Sequence, residues 1–286
     1  MKHVFIMNDT KKNHDFEPSI HEVLKYYDHQ VIYTHSPDEV TKHIKKFNEP
    51  TRFYSVGGDG SINSVMQGLV NTHHELAVIP LGTGNDFVRM MHDEKDPMKC
   101  LEKSLHGTVD RIDTIQVNDR YFVNTACFGV DSIIANHVHD TPDIPLVPKS
   151  KSYIVGILQH VFKYNFEPIS IYEKDKLLFS GPATLCTLNN GRFYGGGFEI
   201  TPDADLRDGM MNIVVVDKVP KSKIPYLITF VIRKNLHKRK EAHFFKVKEA
   251  TVITKNPGNL DGDELKLYDR YDFKVLPQSL NVVVYK

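Results

Sequence analysis

Residues 53–69 read FYSVGGDGSINSVMQGL, and this stretch decides the fold of the first half of the chain. Its apolar start, residues 53–56, has the character of a short buried strand and leads directly into the glycine loop GGDGS at 57–61. Behind the loop, apolar side chains recur at the three- and four-residue spacing of one helix face. A buried strand, a tight glycine turn and an amphipathic helix form the repeating unit of a parallel α/β sheet.

The same alternation extends to both sides of this stretch. Short apolar runs that predict strands lie at 4–6, 31–33, 53–56 and 76–79. Ser36 and Glu39 form a capping box with Pro37 at the first helical position, which predicts the start of a helix. We therefore predict an α/β domain with a parallel sheet over residues 1–118, whose ligands bind beyond the carboxyl ends of the strands.

The pattern changes after residue 119, where short strands follow one another with Gly, Pro and Asp turns between them. The predicted strands lie at 121–127, 169–172, 183–188, 211–216, 244–247, 250–253, 273–276 and 280–285. One helix, with apolar residues from Ile154 to Phe162, and a proline-rich loop at 141–148 interrupt them. This pattern predicts an all-β sandwich over residues 119–286, with the last strand free to return to the first domain.

Composition and charge exclude several classes of protein. The chain has 286 residues, and its 36 Lys and Arg balance 36 Asp and Glu, so the whole molecule is not a strongly basic nucleic-acid binder. Three cysteines without a C-x-x-C pair indicate reduced, buried thiols rather than a disulfide scaffold or a zinc finger. The chain shows no secretory signal, and its longest apolar run, 224–232, is shorter than the roughly 20 residues that span a bilayer. We therefore expect a cytoplasmic protein.

Two glycine loops are the strongest candidates for a binding site. GGDGSIN at 57–63 and PLGTGNDF at 80–87 each follow a predicted strand and open a predicted helix. Glycines allow a ligand to approach the backbone closely, and N–H groups at a helix N terminus favour anions such as phosphate. Carboxylates at Asp59 and Asp86 would repel a phosphate unless a cation lay between them, so the pair indicates a metal-bridged nucleotide. The alternative is that the first loop is only a tight turn and that Asn85 or Asp86 caps a helix.

Known catalytic motifs of other classes are absent from the sequence. Neither glycine loop matches a Walker A motif or the dinucleotide fingerprint G-x-G-x-x-G. Neither H-E-x-x-H nor G-x-S-x-G occurs. In the second half, YGGG at 194–197, DLRDGM at 205–210 and LDGDE at 260–264 taken alone predict turns, the last one a hairpin of the Asp-Gly type.

Taken together, these blocks resemble the soluble bacterial lipid kinases that carry a diacylglycerol-kinase catalytic domain. The resemblance covers nearly the whole chain and rests on the blocks at 57–63, 80–87, 109–131, 189–216 and 261–263. NAD kinases and phosphofructokinases share only the GGDG element. The resemblance implies an ATP-binding α/β domain, a β-sandwich that covers the lipid site, and an active site in the cleft between them.

The resemblance also implies roles for individual residues. The residues that would contact the nucleotide are Asn8, Thr34, Gly57, Gly58, Asp59, Gly60, Ser61, Ile62, Asn63, Gly82, Thr83, Gly84 and Asn85. The residues that would hold the catalytic Mg²⁺ or act as the base are Asp59, Asp86, Asp261 and Asp263. We favour Asp261 as the base, although the sequence leaves the choice between Asp261 and Asp263 open. A structural Mg²⁺ site would use the Asp208 side chain with main-chain oxygens of Asp205 and Met210.

This chain departs from the pattern of the family in two places. The loop after the first strand is usually N-P-x-S-G, but residues 8–12 read NDTKK, so Asn8 is kept while the Pro and Gly are missing. Lys11 or Lys12 could supply a positive charge there. Asp263 stands where the family has Glu, and its carboxylate is one methylene shorter.

The function implied is an ATP- and Mg²⁺-dependent lipid kinase that acts in phospholipid metabolism, with diacylglycerol or a related glycerolipid as substrate. The alternatives are a kinase of phosphatidylglycerol, a sphingoid base or NAD, and a nucleotide-binding regulator with weak catalysis. Five cations within residues 233–240, next to the apolar run 226–232, fit peripheral contact with an anionic membrane, and the alternative is a solvated helix face. No motif indicates nucleic-acid binding, and the oligomeric state, including a homodimer, stays open.

Overall fold

The structure is a computed structural model that describes residues 1–82, 85–137 and 167–285. The chain forms two compact units. Unit 1 comprises Met1–Val123, Asp205–Gly209 and Leu276–Lys286, and unit 2 comprises Asn124–Ala204 and Met210–Val275. The predicted helix at 154–162 and the predicted loop at 141–148 lie outside the described residues. Our division of the functional domains after residue 118 stays a prediction.

Unit 1 alternates strands and helices, as predicted. Its strands are β1 Lys2–Asn8, β2 His29–Thr34, β3 Thr51–Gly57, β4 Glu75–Pro80, β5 Thr108–Val117 and β6 Arg120–Phe122. Its helices are α1 Lys11–Val23, α2 Pro37–Ile44, α3 Asp59–Met66, α4 Asp86–Met91 and α5 Pro97–Leu105. β1 pairs in parallel with β2 and β3, and β3 pairs in parallel with β4, which confirms the parallel α/β architecture.

Both faces of this sheet are buried, which explains why its strands are apolar throughout. Val4 and Ile6 of β1 pack in a cluster with residues of α2 and α3, whereas Phe5 and Met7 pack in a second cluster with residues of α1 and α5. Neighbouring side chains of a strand point to opposite faces, so each strand contributes to both clusters.

Helices α2 and α5 of unit 1 begin in the same way, with a side-chain cap followed by proline. Ser36 caps α2 through a hydrogen bond from the Glu39 N–H to its hydroxyl, with Pro37 in the first turn, as the capping box predicts. Helix α5 was not predicted, although Asp96 followed by Pro97 repeats the same signal. The Asp96 carboxylate accepts hydrogen bonds from two N–H groups of the first turn of α5, at 2.9 and 3.2 Å.

Unit 2 consists mainly of antiparallel strands. These are β7 Thr125–Gly129, β8 Pro168–Glu173, β9 Lys176–Asn189, β10 Phe193–Tyr194, β11 Phe198–Glu199, β12 Met211–Asp217, β13 Ala242–Val247, β14 Glu249–Thr254, β15 Gly258–Leu260, β16 Asp263–Leu265 and the first part of β17 Arg270–Val284. The first half of β9 pairs with β8, and its second half pairs with β7 and β12. This long strand is therefore shared by two sheets, and the β-sandwich-like character predicted for the second domain is confirmed.

Two helices of unit 2 lie within the described residues, α6 Val130–His137 and α7 Ile224–Ile232. Helix α7 buries Ile224, Leu227 and Val231 in a core cluster that also contains Val214 and Val216 of β12. No helix in the described ranges is both long and apolar enough to cross a membrane.

Strand boundaries differ from the prediction in two places. The predicted strand 121–127 is interrupted at Asn124, whose carbonyl accepts hydrogen bonds from the N–H groups of Asn190 and Gly191 instead of continuing a ladder. The strands predicted separately at 273–276 and 280–285 form one strand, β17, with a local irregularity between them at Gln278, whose φ is 49°.

Candidate functional site

Four strands of unit 1 end at one edge of its sheet. Their register places Asn8 of β1 beside Thr34 of β2, and Gly57 of β3 beside Pro80 of β4. Since parallel strands point the same way, the loops that follow them lie on one side of the sheet. These are the loops in which the sequence places the nucleotide contacts.

The two glycine loops touch each other through their backbones. A Cβ atom at Gly82 would lie 2.3 Å from Gly58 Cα and 2.5 Å from Gly58 N, and the Leu81 N–H donates to the Gly57 carbonyl at 3.1 Å. A Cβ atom at Gly57 would lie 2.2 Å from the hydroxyl oxygen of Ser61. Glycine is therefore required at position 82 for the loops to approach and at position 57 for the turn toward Ser61, independently of any ligand. The predicted contacts Thr83 and Gly84 lie outside the described residues.

The start of helix α3 lies at this edge. Gly58 occupies its N-cap position, and the first helical hydrogen bond runs from the Ile62 N–H to the Gly58 carbonyl at 3.1 Å. A glycine has no side chain with which to satisfy the first N–H groups of the helix. Such groups, together with the helix dipole, favour an anion such as a phosphate.

Asp59 of the first glycine loop is hydrogen-bonded to the backbone that follows the second loop. Its carboxylate accepts hydrogen bonds from the N–H groups of Asp86 at 3.0 Å and Phe87 at 3.1 Å, so it holds the first turn of α4 in place. Burial raises the pKa of the Asp59 carboxyl above its ordinary value, because desolvation disfavours the charged form, and the two N–H groups oppose that shift. Asp59 is half-buried, whereas Asp86 is buried, with Oδ1 3.5 Å from Nε of Arg89. The structure thus places the Asp59 carboxylate against the backbone of Asp86.

Three of the predicted nucleotide contacts have side chains engaged inside the protein. Asn63 is fully buried, and its amide oxygen accepts hydrogen bonds at 3.1 Å from both Gln67 and Arg120. Ile62 packs in the core of unit 1, and Thr34 is buried with its hydroxyl 3.5 Å from the Met7 carbonyl. Their side chains therefore support the loops, and their contact with a nucleotide stays a prediction.

The loop after β1, which departs from the family pattern, has its own stabilising contacts. Thr10 caps helix α1, and the Asn8 carbonyl accepts hydrogen bonds at 2.8 Å from the Thr10 N–H and the Asn13 side chain. Lys12 donates from Nζ to the carbonyl of Leu81 in the second glycine loop. A lysine therefore stands at this edge of the sheet, as we expected from residues 11 and 12.

In unit 2, Asp261 lies in a two-residue hairpin turn between β15 and β16. Asp261 and Gly262 have φ angles of 49° and 98°, as a type I′ turn requires, and this agrees with the Asp-Gly hairpin read from the sequence. Asp261 is nevertheless buried, and its Oδ1 accepts hydrogen bonds from the N–H groups of Asn124 at 3.1 Å and Thr125 at 2.7 Å. An exposed hairpin turn needs no such anchorage, which distinguishes this turn from an ordinary one.

Buried polar side chains extend from Asp261 into the interior of unit 2. The Thr125 hydroxyl donates to Oδ1 of Asn189 at 2.9 Å, and the Asn189 amide donates to the Thr187 hydroxyl at 2.9 Å and to the Asn212 carbonyl at 3.1 Å. Sequence analysis missed Thr125 and Asn189 as members of the site. The available signal was a polar residue within an otherwise apolar strand.

Asp263, the other candidate base, is the first residue of β16 and pairs with Leu260 across the hairpin. It is half-buried. The structure therefore gives the two candidates different surroundings, a buried and anchored carboxylate at 261 and a more accessible one at 263.

Asp113 and Asp110 fasten the segment 205–209 within unit 1, and sequence analysis missed both residues. Asp113 accepts a hydrogen bond from the Gly209 N–H at 2.7 Å and donates its own N–H to the Leu206 carbonyl at 2.7 Å. Asp110 accepts a hydrogen bond from Nε of Arg207 at 2.8 Å, and this bond lowers the pKa of the Asp110 carboxyl. Both aspartates lie within the block at 109–131 that carried the family resemblance.

The donors proposed for a structural Mg²⁺ are the carboxylate of Asp208 and two main-chain carbonyls, and hard oxygen donors of this kind suit Mg²⁺. The Asp205 carbonyl accepts only a long hydrogen bond, 3.5 Å, from the Asp208 N–H, so its oxygen retains capacity for a cation. The donor set fits the ion. Among residues 1–82, 85–137 and 167–285, no group of three or more His, Cys, Asp or Glu side chains is placed to hold a metal ion.

Comparison with known families assigns both halves of the chain. Residues 2–117 match the diacylglycerol kinase catalytic domain, and residues 124–284 match the YegS C-terminal NAD kinase beta sandwich-like domain. A diacylglycerol kinase of Staphylococcus saprophyticus is 29% identical over 218 residues, which cover 73% of this chain and 69% of that protein.

Solved structures agree in fold. The crystal structure of a diacylglycerol kinase from Bacillus anthracis superposes with a TM-score of 0.74 over 99% of this chain and 96% of that one, at 18% identity. Yeast NADH kinase complexed with NADH gives a TM-score of 0.57 at 10% identity, covering 100% of this chain and 84% of the other. At these identities the likeness concerns the fold alone.

Proposed function

Since the chain belongs to the family in which a diacylglycerol kinase catalytic domain precedes a YegS C-terminal domain, we propose that it phosphorylates diacylglycerol or a related glycerolipid. Family membership makes it a lipid kinase with ATP as the co-substrate and a hydroxyl group as the acceptor. The proposal adds the substrate, the site residues and the requirement for Mg²⁺.

The observation that carries the proposal is the contact between the two glycine loops at the carboxyl edge of the unit 1 sheet. Gly58 and Gly82 bring the loop backbones together, and Gly58 leaves the start of α3 open to an anion. Phosphoryl transfer depends more on positioning and charge neutralisation than on covalent chemistry. Backbone N–H groups of residues 57–63, together with the ammonium group of Lys12, would hold the phosphates of ATP.

Asp59 and Asp86 are the proposed ligands of the catalytic Mg²⁺. A half-buried carboxylate at Asp59 and a buried one at Asp86 favour a bound cation, because desolvation otherwise opposes the charged form of Asp59. When bound, the ion offsets the negative charge of the phosphate oxygens. Removal of divalent ions with a chelator is expected to abolish phosphoryl transfer, and added Mg²⁺ is expected to restore it.

Asp261 is the proposed general base, with Asp263 in support. A carboxylate within hydrogen-bond reach of the lipid hydroxyl would accept its proton as the oxygen attacks the γ-phosphorus and the bond to ADP breaks. The backbone N–H groups of Asn124 and Thr125 donate to one oxygen of Asp261 and so fix the direction of its carboxylate.

A single assay separates the candidate substrates. The protein is incubated with ATP labelled in the γ-phosphate and, separately, with diacylglycerol, phosphatidylglycerol, sphingosine, ceramide and NAD. Label in phosphatidic acid supports the proposal. Label in another product reassigns the acceptor, and label in none would favour a nucleotide-binding regulator, which the altered loop at 8–12 and Asp263 leave open.

A further inference from the structure

Helix α7 and its flanking segments form the most basic stretch of the chain. Between residues 218 and 240 the sequence contains no Asp or Glu but eight Lys or Arg: Lys218, Lys221, Lys223, Arg233, Lys234, Lys238, Arg239 and Lys240. Lys223 stands at the N-cap position of α7, where the helix dipole disfavours a cation. Its presence there therefore does not stabilise the helix.

The outward face of α7 is apolar in spite of this charge. Ile224, Leu227 and Val231 point into the core of unit 2, whereas Tyr226 is 54% exposed and Ile232 is 55% exposed. Thr229, three residues from each, is exposed as well, so these three residues, each about 60° around the helix from the next, span the outward side of α7. Two large apolar side chains on a solvent-facing side, rimmed by cations, form an amphipathic surface directed away from the core.

Six of these eight cations fall into two groups. Lys234 pairs with Glu199, and Arg239 pairs with Glu241 at 2.9 Å while its guanidinium lies 5.5 Å from the Tyr226 ring centre. In the part of the chain that the structure describes, the side chains of a second group make no ion pair with a carboxylate. These are Lys223, Arg233, Lys238 and Lys240.

We propose that these four cations, with Tyr226 and Ile232 between them, form a surface that docks onto an anionic lipid bilayer. The charges match anionic headgroups, and a tyrosine and an isoleucine beside them match the boundary between headgroups and acyl chains. A nucleic-acid backbone would match the charge alone and leave both apolar side chains unused. The inference rests on the proposed function in one respect: diacylglycerol resides in a bilayer, so the enzyme must reach one.

The electrostatic part is tested with the variant Arg233→Gln/Lys238→Gln/Lys240→Gln. Co-sedimentation is measured with phosphatidylcholine vesicles that contain or lack phosphatidylserine. A cation near an anionic surface contributes about five-fold in affinity, so we expect a loss on the order of 100-fold, confined to the anionic vesicles. Unchanged binding would overturn the proposal.

A matched control removes the same charge elsewhere. Lys42, Lys45 and Lys46 are exposed on and after helix α2 in unit 1, and their triple change to Gln is expected to leave vesicle binding unchanged. An equal loss in both variants would mean that net charge, and not this surface, governs binding. Thermal unfolding of each variant verifies that the fold is kept.

The apolar part is tested with Ile232→Ser at high salt, where charge attraction is screened. We expect at least a two-fold weaker binding to vesicles, whereas Leu177→Ser, at a side chain 52% exposed on β9, is expected to have no effect. A labelled single-stranded RNA is titrated in parallel. If RNA binds with the same dependence on the three cations and vesicles do not, the surface is a nucleic-acid site and the proposal is wrong.

Failure of the surface and failure of the proposed function are distinguishable. Phosphorylation of a short-chain, water-soluble diacylglycerol by the unaltered protein needs no bilayer. Its absence, with vesicle binding intact, would overturn the substrate and leave the surface standing.

Discussion

Asp261 shows what a single residue contributes to the candidate site. It adopts a left-handed backbone conformation, which Asp tolerates better than most residues, and it lies beside Gly262 in a hairpin turn. This conformation is expected whether Asp261 is only a turn residue or also a general base. What sets it apart is burial together with two backbone N–H donors on one oxygen. These donors stabilise the carboxylate and fix its direction.

The change Asp261→Asn isolates its role as a base. The hydrogen bonds from the N–H groups of Asn124 and Thr125 reach the same oxygen, which an asparagine can retain. The fold and ATP affinity are therefore expected to persist, while kcat falls by at least about 100-fold, the usual contribution of a general base. Labelled-ATP turnover and equilibrium ATP binding provide the two measurements.

The same change at Asp263 is expected to abolish turnover as well, with ATP binding retained. Because Asp263 is more accessible than Asp261, the free energy of unfolding should change by no more than about 0.5 kcal/mol. Full activity in either variant would remove that residue from the mechanism.

His3 gives unit 1 a defined pH dependence. It is buried and shares a 2.9 Å hydrogen bond with the Tyr54 hydroxyl, and burial lowers its pKa from 6.5 to about 4. Below pH 6.5, His3 binds a proton in the unfolded chain but stays neutral in the folded chain. The contribution of His3 to the free energy of unfolding is therefore fully present above pH 6.5 and falls as the pH drops toward 4. We expect His3 to account for about 2 kcal/mol of stability lost between pH 7 and pH 5.

Urea unfolding of the parent and of His3→Gln at both pH values measures this contribution. The variant should lose less stability on acidification than the parent, because glutamine does not titrate. Equal losses in the two proteins would show that His3 is not responsible.

At the scale of elements, the segment 205–209 illustrates how a short piece of chain is held away from its sequence neighbours. It belongs to unit 1, whereas the residues before and after it belong to unit 2. Leu206 packs in the core of unit 1, and Asp113 of β5 binds the segment twice: its carboxylate accepts from the Gly209 N–H, and its own N–H donates to the Leu206 carbonyl. Asp113 also accepts a hydrogen bond from the Gln278 N–H at 2.8 Å, so one carboxylate organises two separate segments.

Asp113→Asn is therefore expected to destabilise the protein by about 1–3 kcal/mol, since an amide nitrogen would replace one of the two oxygens that accept from Gly209 and Gln278 and so remove one charge-assisted hydrogen bond. Thermal and urea unfolding provide the measurement. Asp119→Asn, at an exposed position of the β5–β6 turn, is the matched control and is expected to change stability by less than about 0.5 kcal/mol. Equal effects of the two changes would contradict the role given to Asp113.

At the scale of the whole molecule, a formal net charge of zero hides an uneven distribution. The proposed site residues include several aspartates, whereas residues 218–240 carry eight cations and no acid. Binding of Mg²⁺ would offset part of the acidic charge and leave the protein more positive overall. Solubility and encounter with charged partners depend on this distribution, and the fold does not.

The thiols provide a measure of the integrity of the whole molecule. Cys100, Cys127 and Cys186 are all free and buried, and burial raises the pKa of each. A maleimide reagent at neutral pH is expected to label none of them rapidly in the native protein and all three after unfolding, because the reactive thiolate is both disfavoured and shielded. Rapid labelling of any native thiol would show that its part of the core opens.

Local patterns in the sequence determined much of this protein. Alternating strand and helix signals predicted the parallel sheet of unit 1, Ser36 and Pro37 marked the start of α2, and the dipeptide at 261–262 predicted a hairpin. Each depends on residues within a few positions of one another, where backbone preference and the side-chain period decide the outcome. The glycine loops were predicted for the same reason.

The tertiary structure alone decided how distant residues combine. Asp59 holds the start of α4, Asp261 is anchored 136 residues away at Thr125, and β17 joins two strands that were predicted separately. The sequence could not show these features, because a buried carboxylate is tolerated only where packing brings hydrogen-bond donors to it. Residue types and local spacing therefore determined which groups could perform the chemistry, and packing decided which of them are buried, anchored and held in place.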